Sequence, residues 1–245
     1  MKTAIVTGAS GKIGGAIAKL LSINGFSVFG QYNENKNGID IINNELESLG
    51  VKERVYPVKF DMASESQIKS AFLEIEKKTS KIDVLVNCAG EGLYKLANQT
   101  TLKEWNDLFS INVGGAHQLT SLALDKMISN KSGKIVFISS IWGNVGASME
   151  AAYSASKAAL IGYTKALAKE VGPSGITVNC VCPGVIDTPM NARFTKEEMD
   201  ELIYSTPIGR IGEPSDVAKL TAFLVSGDAD FITGQIITVD GGLTL

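Results

Sequence analysis

The chain has 245 residues, of which 44% are hydrophobic and 20% charged, with a formal net charge of -3. This length suits one domain with a substantial core, residues 1–245, and the composition is that of an ordinary globular protein, not of a disordered one. An acidic balance without a run of Lys and Arg argues against a nucleic-acid partner, and no stretch approaches the roughly 20 apolar residues needed to span a bilayer.

The opening "MKTAIVTGAS" holds an apolar run too brief for a signal peptide, so a cytoplasmic protein is expected. From there, short apolar runs alternate with longer amphipathic stretches, the pattern of βαβ units. Strands are predicted at 3–7, 27–32, 54–60, 83–87, 134–139, 176–181 and 235–240. Most are continuous and β-branched, as in a parallel sheet covered on both faces. Helices are predicted near 14–23, 38–49, 64–79, 101–128, 151–171 and 214–226. Residues 183–212 form a long connection with a short charged helix near 196–203, and connections of that length tend to be lids or binding segments. The fold expected is a doubly wound α/β Rossmann domain with seven parallel strands.

Cys88, Cys180 and Cys182 are odd in number and lack CxxC spacing, which argues against disulfides or a zinc site. Cys180 and Cys182 would share one face of a strand as buried thiols. The lone His117 has no second ligand at useful spacing and reads as structural or surface, so no metal is expected.

The run "TAIVTGASGKIGGAIAKLL" reads strand, turn, helix, with Gly8, Gly11, Gly14 and Gly15 in the turn. Glycines there let the backbone approach a ligand, and the helix N-terminus directs free N–H groups at a diphosphate. The coenzyme depends on the end of the second strand, where an acid would hold the ribose hydroxyls and repel a 2′-phosphate. The sequence offers Tyr32 and Asn33, with Glu34 just beyond, while Lys12 and Lys36 could face a phosphate. The prediction is NADP, with Glu34 keeping NAD open.

"AAYSASKAAL", residues 151–160, places Tyr153 and Lys157 one helical turn apart among small side chains. Such a pair is common on solvated helix faces and means little alone. With the other pieces in place, however, the chain resembles the short-chain dehydrogenase/reductase family along essentially its whole length. The family's TGxxxGxG turn reads "TGASGKIG", with Lys12 where the middle glycine is usual. Its Asp after the third strand corresponds to Asp61, beside Met62, and its NNAG motif to Asn87, Cys88, Ala89 and Gly90. The resemblance further implies a helix asparagine at Asn112, a serine at Ser140 and the YxxxK pair Tyr153 and Lys157 as the catalytic set. It implies a nicotinamide-holding segment in "CPGVIDTP" that brings in Pro183, Gly184, Ile186 and Thr188. Gly8, Ser10, Lys12, Ile13 and Gly14 complete the implied cofactor site together with Tyr32, Asn33 and the two catalytic-pair residues. A homotetramer is also implied, with the 101–128 and 151–171 helices as an interface.

The chemistry explains the residue types. A carbonyl receiving hydride develops negative charge on oxygen and needs a positioned donor, then a proton. A phenol can supply it when a cation stands near, because a unit charge about 4 Å away at an effective dielectric near 20 is worth about 4 kcal/mol. Ser140, after the fifth strand, would hold the carbonyl oxygen; with no His to activate it, a nucleophilic hydrolase is disfavoured. By resemblance, Lys157 also holds the nicotinamide ribose and Asn112 fixes a water that links it to solvent.

Among family members the chain most resembles 3-oxoacyl-[acyl-carrier-protein] reductases, through "QYNEN", "PIGRIGEPSDVA" and "ITGQIITVDGG". Trp142, Met149, Met190 and Phe194 are candidates to line an apolar channel. Ser174 stands where reductases that dock acyl carrier protein often carry a basic residue, leaving Lys131 to contribute. The alternatives weighed are an oxidoreductase of sugars, polyols or other secondary alcohols, a dinucleotide sensor without turnover, which would have no use for a proton donor, and an epimerase.

Overall fold

The computed structural model describes residues 2–245. Seven parallel strands form one sheet: β1 (Lys2–Val6), β2 (Phe26–Tyr32), β3 (Val55–Lys59), β4 (Val84–Asn87), β5 (Gly133–Ile138), β6 (Ile176–Pro183) and β7 (Ile236–Val239). Their order is β3-β2-β1-β4-β5-β6-β7, so the chain reverses direction of travel between β1 and β4. Open parallel sheets bind ligands at that crevice, beyond the carboxyl ends of the strands.

Period-two alternation in each strand builds two cores. Ile5, Leu85, Ile135, Phe137, Val178, Cys180 and Cys182 face one side, where they meet helices α3 (Glu65–Glu76), α5 (Ala116–Ser129) and α7 (Ala151–Val171). Ala4, Val6, Val84, Val86, Val136, Ile138 and Val181 face the other, against α1 (Lys12–Ile23), α2 (Asn37–Ser48) and α9 (Pro214–Leu224). The two cysteines do share a face, buried and unpaired. Burying strands on both sides accounts for their nearly continuous apolar sequences.

Two helical readings need correction. The single helix expected over 101–128 is α4 (Leu102–Phe109), then a wider π-helical turn over Ser110–Gly115, then α5. A hydrophobic repeat averaged over seven turns conceals one widened turn, and such turns recur at functional sites. Here it carries Asn112. The second correction is an unpredicted helix, α6 (Ile141–Val145), too short to show a period in sequence. The long connection after β6 does hold the charged helix, α8 (Lys196–Ser205), begun by a capping box between Thr195 and Glu198. No helix among the described residues is long and apolar enough to cross a membrane.

Candidate active site

A cavity of about 450 Å³ opens at the β1/β4 crevice. Its first wall is the glycine turn. Gly8 has φ +66, a conformation that suits glycine, and a Cβ there would lie 3.0 Å from Ala89 Cα. A Cβ on Gly14 would stand 2.3 Å from the Gly8 carbonyl oxygen, so that position admits no side chain. Lys12 replaces the usual middle glycine without distortion, because it is the first residue of α1 and keeps negative φ. Gly11 caps α1 in extended conformation with no side-chain acceptor, leaving the N-terminal N–H groups for a ligand.

Two polar residues that the sequence reading missed hold this turn. The Gln31 carboxamide accepts from Gly8 N at 2.8 Å and donates to the Phe60 carbonyl at 2.6 Å, joining the turn to the end of β3. Thr7 Oγ1 accepts from both Cys88 N and Ala89 N at 2.9 Å, joining it to the end of β4. A buried glutamine at a strand end carries no sequence signal of its partners, which lie 23 and 29 residues away along the chain.

Most residues assigned to cofactor binding meet on this cavity. Gly8, Ser10, Lys12, Ile13 and Gly14 line it, as do Tyr32, Asn33, Asp61, Met62, Ala89, Gly90, Pro183, Gly184, Ile186 and Thr188. Asn87 sits elsewhere: it is 3% exposed, and its Nδ2 donates to Thr120 Oγ1 at 3.0 Å, behind the wall. Lys36 is also apart, 3.4 Å from Asp40 one turn along α2. Gly184 lies against Asp240, where a Cβ would approach the aspartate Cβ to 2.6 Å, so the segment after β6 folds tightly onto the end of β7.

The catalytic candidates converge from three segments. Ser140 caps α6, its Oγ accepting from Trp142 N at 3.2 Å. Tyr153 lies in the first turn of α7, buried among Leu108, Ala152, Leu93 and Trp142. The Lys157 ammonium sits 5.7 Å from the Tyr153 ring centroid and donates to the Ile138 carbonyl at 3.0 Å. That bond fixes the lysine to the end of β5, beside Ser139 and Ser140. Ser139 Oγ donates to the Lys157 carbonyl at 2.8 Å, a second tie between strand and helix.

Asn112 acts from behind. Its Oδ1 accepts from Glu91 N at 2.8 Å, and its Nδ2 donates to the Glu91 carbonyl at 2.9 Å and to Ser156 Oγ at 3.0 Å. Ser156 in turn donates to the Tyr153 carbonyl at 2.7 Å. Gly90 separates Asn112 from Lys157, since a Cβ there would stand 3.1 Å from Asn112 Oδ1 and 3.2 Å from Lys157 Nζ. The wide π-helical turn thereby delivers Asn112 to the loop after β4 and to the helix of Tyr153 together.

Beyond these residues the cavity is walled by Trp142, Met190 and Phe194, as expected, but not by Met149. Met149 adopts φ 61, and its carbonyl accepts from Lys95 N at 2.6 Å, which commits this turn to the loop after β4. Glu150 and Arg193 line the same end and were not anticipated. His117 lies on α5, its Nδ1 3.0 Å from the Tyr163 hydroxyl and away from the cavity.

The arrangement provides a helix N-terminus with free N–H groups, a serine hydroxyl at the end of β5, and a phenol and an ammonium one turn apart on α7. Known proteins resemble the chain over nearly its whole length. A family model described as enoyl-(acyl carrier protein) reductase matches residues 8–244. An uncharacterized oxidoreductase of Bacillus subtilis, YmfI, is 38% identical over 98% of each chain. The 3-oxoacyl-[acyl-carrier-protein] reductase FabG of Aquifex aeolicus is also 38% identical, over 99% of this chain and 97% of its own. A crystal structure of a proposed gluconate dehydrogenase from Agrobacterium tumefaciens superposes with a TM-score of 0.93 at 30% identity, covering 99% of this chain and 95% of its own. Matched in sequence and in fold over nearly its full length, the chain belongs to the short-chain dehydrogenase/reductase family and is an NAD(P)-dependent oxidoreductase.

Proposed function

We propose that the protein reduces a 3-oxoacyl thioester to the 3-hydroxyacyl thioester with NADP as coenzyme. The observation that carries this reading is the meeting of Ser140, Tyr153 and Lys157 on the cavity that also holds the glycine turn. The names of the FabG relatives supply the substrate class.

The residues present fit a dinucleotide: Gly14 leaves room against the Gly8 carbonyl, and the α1 N-terminus has N–H groups without a side-chain cap. Ser10, Lys12 and Ile13 would hold the diphosphate, Asp61 and Met62 the adenine end, and Pro183, Gly184, Ile186 and Thr188 the nicotinamide. The bound coenzyme supplies the hydride. Ser140 orients the carbonyl oxygen, and Tyr153 passes its phenolic proton to that oxygen as charge develops. Lys157 stabilises the phenolate left behind and would hold the ribose of the coenzyme. Asn112 is a positioning residue, acting through Glu91 and Ser156.

Lys12 on the cavity wall and the neutral Tyr32 and Asn33 at the end of β2 support a 2′-phosphate, whereas Glu34 lies off the wall. Acetoacetyl thioester reduction measured with each coenzyme tests the whole reading. NADPH is expected to be preferred at least tenfold, and Lys12→Glu to erode that preference. Preference for NADH refutes the coenzyme assignment, and turnover of polyols without turnover of thioesters favours the secondary-alcohol alternative. That alternative draws support from the structural neighbour proposed to be a gluconate dehydrogenase.

A cytoplasmic homotetramer is part of the same proposal. Leu102 on α4 is 75% exposed and Trp105 stacks on Phe109 with ring centroids 4.7 Å apart, an apolar face suited to a second copy. A monomer by light scattering at micromolar concentration refutes it. Docking of acyl carrier protein would rest on Lys131, whose carbonyl adjoins Gly175, next to Ser174.

A further inference from the structure

We propose that the Glu150–Arg193 ion pair is a specificity determinant that limits the substrate's acyl group to a short one. The inference rests on the reading of the cavity as a carbonyl-reducing site and goes beyond it by naming which substrates enter.

Glu150 immediately precedes α7, three residues before Tyr153, and its side chain is 7% exposed. Arg193 comes from the connection after β6. Its Nη2 donates to Glu150 Oε1, and its guanidinium carbon lies 4.4 Å from the Tyr94 ring centroid and 4.8 Å from that of Phe194. Three segments therefore converge: the loop after β4, the turn before α7 and the long connection after β6. Glu150, Arg193 and Phe194 line the same cavity as Tyr153 and Trp142.

The pair is not free to swing aside. A carboxylate this deeply buried must keep its cationic partner, because separation leaves an uncompensated charge. Cation–π contact with two rings further fixes the guanidinium. An apolar chain gains by displacing water from apolar walls, about fourfold in binding per methylene. Against this pair it would strip the residual hydration of the guanidinium and return no hydrogen bond. The gain per methylene should therefore stop, and then reverse, where the chain meets Arg193.

The test is kcat/KM over 3-oxoacyl thioesters of four to twelve carbons, with Kd for the four- and eight-carbon 3-hydroxyacyl thioesters by calorimetry as a readout independent of turnover. The wild-type protein is expected to lose at least tenfold in kcat/KM between four and eight carbons, and to bind the longer product more weakly. The double variant Glu150→Leu/Arg193→Leu, which replaces the pair by apolar groups, is expected to shift the eight-to-four ratio at least tenfold toward the longer chain. A flat or rising wild-type profile overturns the inference, and this measurement needs no folded variant. Absence of turnover with every thioester overturns the substrate reading alone. The length dependence is then read on secondary alkanols with the oxidised coenzyme, where rising efficiency overturns the inference.

Discussion

Tyr153→Phe removes one oxygen from the site and little else. The ring packs with Leu93, Leu108, Ala152 and Trp142, all contacts to carbons that phenylalanine retains. The hydrogen bond from Ser156 goes to the backbone carbonyl of residue 153, so the link to Asn112 also survives. Stability should therefore move by less than about 1 kcal/mol, a shift of a few degrees or less in Tm. Activity should respond very differently. A general acid is worth about 10²- to 10⁴-fold, which corresponds to about 2.7–5.4 kcal/mol in the barrier. The assay is steady-state kcat and KM for acetoacetyl thioester reduction, alongside thermal unfolding and coenzyme affinity. The expected result is kcat lowered at least a hundredfold with coenzyme affinity and Tm nearly unchanged. Turnover within tenfold of the wild type would refute the proton-donor role. A large fall in Tm would refute the claim that the phenolic oxygen adds little to the packing of residue 153.

Gly14→Ala drives a methyl into the Gly8 carbonyl, whereas Gly11→Ala meets only that oxygen at 3.3 Å; coenzyme affinity measured by fluorescence titration should fall at least tenfold for the first and much less for the second, and equal losses would refute the cradle geometry. Gln31→Leu leaves Gly8 N–H and the Phe60 carbonyl without their partner, so chemical denaturation should show a loss of about 2 kcal/mol or more, and an unchanged midpoint would contradict it. The Glu104 carboxyl is held down to about 2, chiefly by its hydrogen bond with the Lys95 ammonium and then by those from Thr101. Because its folded value lies below the ordinary 4.5, its contribution to holding α4 is in place above pH 4.5 and is lost as pH falls through about 2. An NMR titration of its side-chain carboxyl carbon should find a midpoint well below 4.5, and a midpoint at the ordinary value would remove the argument.

Strand positions were readable because the central strands are buried on both faces and so remain largely apolar along their length, while the edge strands β3 and β7 keep β-branched residues. Every predicted strand boundary falls within two residues of the observed one. Tyr153 and Lys157 were readable for a related reason: a helical turn fixes their spacing, and the turn is local. What escaped was non-local. Gln31, Glu150 and Arg193 act through partners brought together only by the sheet crossover and the return of the connection after β6. The π-helical turn escaped because it adds a fraction of a residue to one turn in a stretch whose hydrophobic repeat is otherwise continuous.

The small side chains around Tyr153 follow from the same geometry. Two chain segments must bring a serine, a phenol and an ammonium to one wall, and they cross at backbone distance. A Cβ at Gly143 would stand 2.9 Å from the Lys157 carbonyl carbon and 3.0 Å from Ser139 Oγ, so α6 rests directly on the backbone of α7. Gly90 keeps the opposite side open between Asn112 and Lys157. Ser156 is fully buried and small enough to relay between Asn112 and the Tyr153 carbonyl. Larger residues at these points would push α7 away from β5 and break the bond from Lys157 to Ile138 before reaching any reacting group. The lysine is therefore placed by the absence of side chains around it, and the chemistry of the pair depends on glycines and serines that touch no substrate.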